Sequence, residues 1–463
     1  MVAIVRELEV ASTATASPAP SATTTTNVDE VVPSLQLAKH PVRRHRVLTP
    51  LQRCGAVLGC VGLISLVVTI AIIASRSHTE QSWLPSFDGV TFGPDYYKAA
   101  PLSLPLPSNT TVLHTFAHGS CADQRKPQRF WPTVQSVLPQ LFLFNGDIVY
   151  GDCHGSGCPE LPAAWRALFG NSNFASASEV LPMTGILDDH DYGMNDAYVS
   201  NPFKAFAKAI FLERFGMGAA DERRTRDGLY TALTFGPYGR RTQLLMLDTR
   251  WSRSPFMRSG CRHFDECPGF ERYVAYNESA SAEHTILGDA QWVWLEEKLK
   301  EPADVRFLVS TIQVLAIDHG WERWGLIPTE VTRLMRLIGS TKANGVILLS
   351  GDRHVGGVYR LPKGENEAPY DLVEVTASSL THSFRGGRAE EAGRMRDGPL
   401  IHENNFGTVH LDWTAGIVTL DLRASDNCGL ARQDWGQLCD LPHVGTAGAQ
   451  LRVINVSLAQ LVV

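Results

Sequence analysis

The chain has 463 residues, of which 44% are hydrophobic and 19% charged, and its formal net charge is −6. That balance fits an ordinary globular protein, long enough for one large domain with additions. It supplies no basic footprint for nucleic acid, and that class of partner is set aside.

In chain order, residues 1–38 are rich in Ala, Ser, Thr and Pro, including Thr23 to Thr26. Such a stretch buries too little apolar surface to fold and reads as a disordered tail. Residues 39–54 are basic, with Lys39, Arg43, Arg44, Arg46 and Arg53. Residues 55–74, GAVLGCVGLISLVVTIAIIA, carry no charge. At helical rise that run covers roughly 30 Å, the thickness of a bilayer core. Only Arg76 follows before Glu80 and Asp88, so positive charge lies on the N-terminal side. The asymmetry predicts a type II signal anchor with a cytosolic tail, placing everything after it in the lumen or outside the cell. Residues 75–110, with Pro101, Pro105 and Pro107, read as a linker.

Cysteine placement agrees with that orientation. Beyond the anchor, Cys153 and Cys158, Cys261 and Cys267, and Cys428 and Cys439 are closely spaced in loop-like sequence. They are disulfide candidates for an oxidising compartment, and they leave Cys121 without a partner. Glycosylation sequons at Asn109, Asn277 and Asn455 all fall on the same side of the anchor.

From residue 111 to 463, strand and helix signals alternate, predicting one α/β domain with mixed sheets. Expected strands cover Val112–Ala117, Leu141–Phe144, Val180–Leu187, Leu244–Leu247, Phe307–Val314 and Val346–Leu349. Helices are expected over Arg129–Leu138, Pro202–Phe215 with Pro202 at the first position, 289–299 with Asp289 as N-cap, and Glu330–Ile338. The tail becomes strand-rich in Asp371–Val375, Gly407–Asp412 and Ile417–Leu422.

Several of these apolar strands end in side chains able to bind metal: Cys121, then Asp147 with Tyr150, then Asp188 to Asp191, then Asp352 with His354. A single strand-end carboxylate is a turn or a helix cap. Four such ends, with thiol, phenol and imidazole among them, point to a metal centre, because ligand sites gather at the carboxyl edge of such sheets. No Gly-x-Ser-x-Gly elbow is present to favour a serine esterase.

The ordered set His118-Gly119-Ser120-Cys121, Asn145-Gly146-Asp147-Ile148-Val149-Tyr150, Asp188-Asp189-His190-Asp191, Gly288-Asp289-Ala290-Gln291-Trp292 and Ser350-Gly351-Asp352-Arg353-His354 resembles the alkaline phosphatase D (PhoD-like) branch of the calcineurin-like metallophosphoesterases. Thr376 to Ser383 and Asn404-Asn405-Phe406-Gly407 extend the resemblance, which spans about residues 112–412. It implies a four-layer α-β-β-α sandwich and hydrolysis of phosphate mono- or diesters by a metal-bound hydroxide. It also implies two or more metal ions, Fe3+ with Ca2+, or Zn2+ or Mn2+ in their place. Asp147 would bridge the ions, Cys121, Tyr150 and His354 would complete the first site, and Asp352 and Asp189 would hold the second. Asp189 stands where the wider superfamily has Asn, which makes Asn195 a substitute ligand. His190 would face the phosphate as stabiliser or acid. Gln313 replaces a histidine of the superfamily pattern and suits calcium, with His319 near it in sequence. His382 is an outer-shell candidate, and Arg250 and Arg353 are candidate phosphate contacts. Trp292 and Trp294 fit core packing better than a site. The alternative is a surface receptor or adhesion protein that keeps this fold without turnover.

Overall fold

Phe142-Leu143-Phe144-Asn145 shows how the strands here are built: four buried residues, too few for a helix, closed by a glycine at positive φ. The computed structural model describes residues 101–260, 276–279, 281–317, 319–384, 393–426, 428–430, 437–439 and 446–463. The apolar run 55–74 and its basic flank lie outside them, as do Cys261 and Cys267. Among the described residues no helix is long and apolar enough to cross a membrane.

Two six-stranded mixed sheets form the centre. The first contains β1 (Thr115–Gly119), β2 (Phe142–Asn145), β3 (Met183–Ile186), β12 (Asn405–Asp412), β13 (Ile417–Ala424) and β16 (Gln450–Ser457), in the order β16-β13-β12-β1-β2-β3. Strands β1 to β3 are parallel neighbours and the rest are antiparallel. The second contains β4 (Thr231–Phe235), β5 (Thr242–Met246), β8 (Val305–Val309), β9 (Val346–Ser350), β10 (Gly356–Leu361) and β11 (Leu372–Ala377), in the order β10-β11-β9-β8-β5-β4. Its four central strands are parallel and both edges are antiparallel. Two short pairs complete the set: β6 (Met257–Arg258) with β7 (Tyr276–Asn277), and β14 (Cys428–Leu430) with β15 (Gln437–Cys439).

Side-chain alternation fixes the layers. Phe116 of β1 meets Phe307 of β8 edge to face at 5.0 Å, so the inner faces of the two sheets share a core. On the outer face of the first sheet, Trp131 of α1 (Trp131–Ser136) packs on Phe142 and Phe144, and on Phe174 of α3 (Ser172–Ser178). Helices α2 (Glu160–Phe169) and α4 (Lys204–Arg214) also bury apolar side chains in the core. Behind the second sheet lie α5 (Asp289–Lys300) and α6 (Pro328–Ser340). Gln243 of β5 and Arg306 of β8 donate to the Lys298 and Leu299 carbonyls of α5. The arrangement is the expected α-β-β-α, with Trp292 and Trp294 in its core.

Several expected elements shift. Helix α4 starts at Lys204, two residues after Pro202, because Asn201 Oδ1 takes the Phe203 N–H in a turn. At α5 the cap is Gly288 at φ 74°, and Asp289 is the first helical residue with no capping bond of its own. Its charge still favours the helix N-terminus. The strand expected over Phe307–Val314 stops at Val309, where Ser310 Oγ donates to the Ile312 carbonyl and turns the chain. Helices α2 and α3 and strands β4, β10 and β16 were not anticipated.

Candidate metal centre

Both sheets present the carboxyl ends of parallel strands to one edge, and their connections meet there in close contact. A Cβ on Gly351, after β9, would lie 2.5 Å from Ser120 Oγ and 2.7 Å from the Asn145 carbonyl, after β1 and on β2. Gly146 has φ 93°, and a Cβ there would lie 2.5 Å from Asp188 Cβ. Only glycine permits both the turn and the approach. The residues that follow are strained: Cys121, Asp147, Asp352 and His354 have φ of 61°, 48°, 69° and 53°. Such left-handed backbones at non-glycine positions cost on the order of 1–3 kcal/mol each and persist where the surroundings over-determine them.

These turns bring four of the expected ligands together. Tyr150 Oη donates to Asp147 Oδ2 at 3.1 Å and lies 3.0 Å from His354 Nε2, while Cys121 Sγ is 3.4 Å from the same Asp147 oxygen. Cys121 is buried, is a free cysteine, and also meets Ser378 Oγ at 3.2 Å. Donor atoms lie within 4.8 Å of one another in four groups: Cys121, Asp147 and His354; Asp147, Asp189 and His190; Asp188, Asp189 and Asp352; and Asp189, Asp196 and Glu322. Asp147 and Asp189 join these groups into one chain.

Electrostatics give the cluster its character. Burial and the neighbouring Asp147 push the Cys121 thiol well above its usual range, and burial with Asp147 does the same to Tyr150. Burial and Asp189 raise Asp147; burial with Asp188 and Asp189 raises Asp352. Burial lowers His354 to about 3. Asp189 goes the other way, because Arg250 and His190 outweigh its burial. Collecting so many acidic groups in a dry site favours their neutral forms, and a bound cation reverses that preference. The donor set fits a metal on a second ground. Asp147 Oδ1 and His354 Nδ1 are buried with no hydrogen-bond partner among the described residues. Other buried polar atoms also lack a partner, but these two belong to residues whose donor atoms already converge in one group.

The run Asp188 to Asp191 divides its labour. Asp191 accepts the Val149 and Asp188 N–H groups and acts as a brace. Asp188 accepts from Arg250 Nε and Thr311 Oγ1. Asp189 and His190 face a cavity of about 370 Å³ that Asp147, Asn195, Asp352, Arg353 and His354 also line. His190 Nδ1 is 2.8 Å from both oxygens of Asp152, and its ring lies 4.3 Å from that of Tyr150. Burial alone would lower the His190 imidazolium, but Asp189, Asp147 and Asp152 raise it well above its ordinary value.

Other expected residues are placed differently. Arg250 is buried and pairs with Asp188 and Glu322, with Asp352 at 3.3 Å and with Asp189 at 3.9 Å, and it is not among the residues that line the cavity. Gln313 donates from Nε2 to Thr376 Oγ1 at 2.8 Å and also stays out of the cavity, because the chain turned away after Val309. His319 is buried, with Nδ1 accepting the Trp321 N–H. His382 packs against the rings of Tyr150 and His354 at 5.3 and 4.2 Å, as an outer-shell residue does. Asp152, Asp196 and Glu322 were not foreseen as site residues. Asp152 lies two residues past Tyr150, in the same loop, and that proximity was its signal.

Cys153 and Cys158 form a disulfide with Cα atoms 4.8 Å apart. The backbone pairs Cys428 opposite Cys439 between β14 and β15. Asn109, Asn277 and Asn455 are exposed.

Comparison with known proteins bears on this geometry. A model of the family described as PhoD-like phosphatase matches residues 116–426. The solved structure of PhoD aligns with a TM-score of 0.54 and 17% identity, covering 70% of this chain and 68% of that one. A structure described as GAP50, the anchor in the inner membrane complex of Plasmodium, aligns with a TM-score of 0.40 and 12% identity, covering 68% of this chain and 85% of that one. No curated protein sequence matches the chain.

Proposed function

The chain belongs to the PhoD-like phosphatase family, and from that premise we propose that it is a membrane-anchored, metal-dependent hydrolase of phosphate mono- or diesters. The observation that carries the reading is the meeting of Cys121, Asp147, Tyr150 and His354, delivered by three separate strand ends, around one carboxylate. These four residues would hold one ion, of the Fe3+ type that thiolate and phenolate favour. Asp147, Asp189 and Asp352, with Asn195 beside them, would hold a harder ion such as Ca2+. When bound, such ions polarise a phosphoryl oxygen and make water acidic enough to attack near neutral pH.

The chain's own residues do the rest. Asp152 fixes the His190 ring through Nδ1 and leaves Nε2 as the nitrogen able to give a proton to the leaving oxygen. Arg353, on the cavity wall, supplies a guanidinium to the phosphate. Tyr150, stacked on His190 and bonded to Asp147, couples the two halves of the site. Residues 55–74 anchor the chain with the N-terminus cytosolic. The disulfide at Cys153–Cys158 and the exposed sequon asparagines support an oxidising, lumenal or extracellular setting for the domain.

The test is hydrolysis of p-nitrophenyl phosphate and bis-p-nitrophenyl phosphate by the full chain in neutral detergent. A chelator should abolish it and added metal should restore it. Hydrolysis that survives complete metal removal would overturn the mechanism. Protease access to sealed vesicles reads the orientation, and digestion only from the cytosolic side would overturn that part.

A further inference from the structure

The cavity lining combines two kinds of group: the carboxylate cluster, and the aromatic Trp321, Tyr276 and Phe384 with Arg258 and Arg353. Trp321 is 37% exposed and lines the cavity, so part of its side chain is accessible at the site. Its backbone is nevertheless held firmly. The Trp321 N–H donates to His319 Nδ1, and the next residue, Glu322, is buried between the guanidinium groups of Arg250 and Arg253. Arg253 in turn donates to the Asp196 and Ala197 carbonyls at 2.8 and 2.7 Å. An exposed ring on a backbone fixed by buried ion pairs is a preorganised surface, since little entropy remains to be lost when a ligand covers it.

Two guanidinium groups lie against aromatic rings of the cavity lining. Arg353 lies 5.9 Å from the Trp321 ring centroid, and Arg258 lies 5.5 Å from that of Tyr276. Tyr276 donates its hydroxyl to Asp196, which ties the second ring to the site as well. Aromatic faces with guanidinium groups beside them recognise planar, electron-rich groups that carry negative charge.

We propose that Trp321 is a specificity-determining platform, and that the substrates are phosphoesters of a planar aromatic group, the chemical class of aryl phosphates and nucleotides. This rests on the phosphoesterase reading above. The phosphoester would lie against the ions held by the carboxylate cluster with Arg353 beside it, the ring of the esterified group stacks on Trp321, and Arg258 receives further charge on that group.

Benzyl phosphate and cyclohexylmethyl phosphate test the proposal, because their alcohols leave with similar ease and differ chiefly in planarity. The metal-loaded full chain should prefer the benzyl ester by about tenfold in kcat/KM, the difference lying in KM. Trp321→Ala should collapse that ratio to near one, and Trp321→Phe should restore most of it. A ratio unchanged by Trp321→Ala overturns the proposal while leaving phosphoester hydrolysis intact. A second readout does not need turnover: naphthylmethyl phosphonate should quench tryptophan fluorescence saturably in the native chain and much less in Trp321→Ala. Equal quenching in both overturns the proposal even if neither ester is hydrolysed, whereas the absence of hydrolysis with Trp321-dependent quenching counts against the phosphoesterase reading alone.

Discussion

One cavity, of about 650 Å³, opens between α4 and residues 219–227 and is lined by Ala205, Lys208, Leu212, Arg226 and Trp251 among others. The cavity at the strand ends is about 370 Å³. In the larger one the charges are settled locally. Arg226 pairs with Glu222 at 2.8 Å, Arg224 with Glu213 at 3.1 Å, and Lys208 donates to the Arg226 carbonyl. In the smaller one, four of the lining residues, Asp147, Asp196, Asp352 and His354, hold left-handed backbones, and none that lines the larger one does. Volume therefore says little about chemistry in this fold. Backbone strain, gathered where strand ends meet, marks the smaller cavity.

Substitutions can break or sharpen that contrast. Asp147→Asn removes the charge that both ligand groups share, and should lower kcat/KM by about 10³-fold or more with the thermal midpoint little changed. A loss under tenfold would mean that the strand-end cluster is not the reaction centre. Arg250→Met leaves Asp188, Asp189, Asp352 and Glu322 without their common counter-charge, and should destabilise the fold by about 3–5 kcal/mol in urea unfolding. If only KM rose, Arg250 would be a substrate contact after all. Asp152→Asn should cost about tenfold in kcat and alter the pH profile, because it frees the His190 ring without touching a ligand group. An unchanged profile would make Asp152 a structural residue. Lys208→Met, in the larger cavity, should change kcat/KM by less than about twofold, since distant sites act independently.

Much of the site was legible because its residues share one local grammar: an apolar strand, a glycine or serine, then a ligand. Cys121, Asp147 and Asp352 obey it, His354 follows Asp352 by two positions, and Tyr150 is the first residue after Asp147 that is not fully buried. Glu322 and Asp196 do not, because they sit in irregular segments where no periodicity marks a side chain that points inward. Arg250, open in sequence between an ion pair and a phosphate contact, is hard to place for a different reason. Sequence shows that a cation lies near acids but not which of them it reaches, and the answer depends on how the second sheet turns beyond β5. The position of Gln313 is equally hard to read, since the bend after Val309 is made by a Ser310 hydroxyl that reads as an ordinary strand residue. In the fold at large, β10 was hidden by the paired glycines at its start, Gly356 and Gly357.

The disulfide at Cys153–Cys158 sits a few residues beyond Tyr150, while Cys121 remains a thiol against Asp147. In the oxidising setting proposed above, the chain would have to keep these two sulfur chemistries apart, although thiolate attack on a nearby disulfide is facile. Complete burial of Cys121 provides the separation, but only once β1, β2 and the Ser378 loop have closed over it. The order of events during biogenesis then becomes a determinant of yield: chains that oxidise before the two sheets dock would carry scrambled bonds through Cys121, and such species should accumulate when folding is slowed.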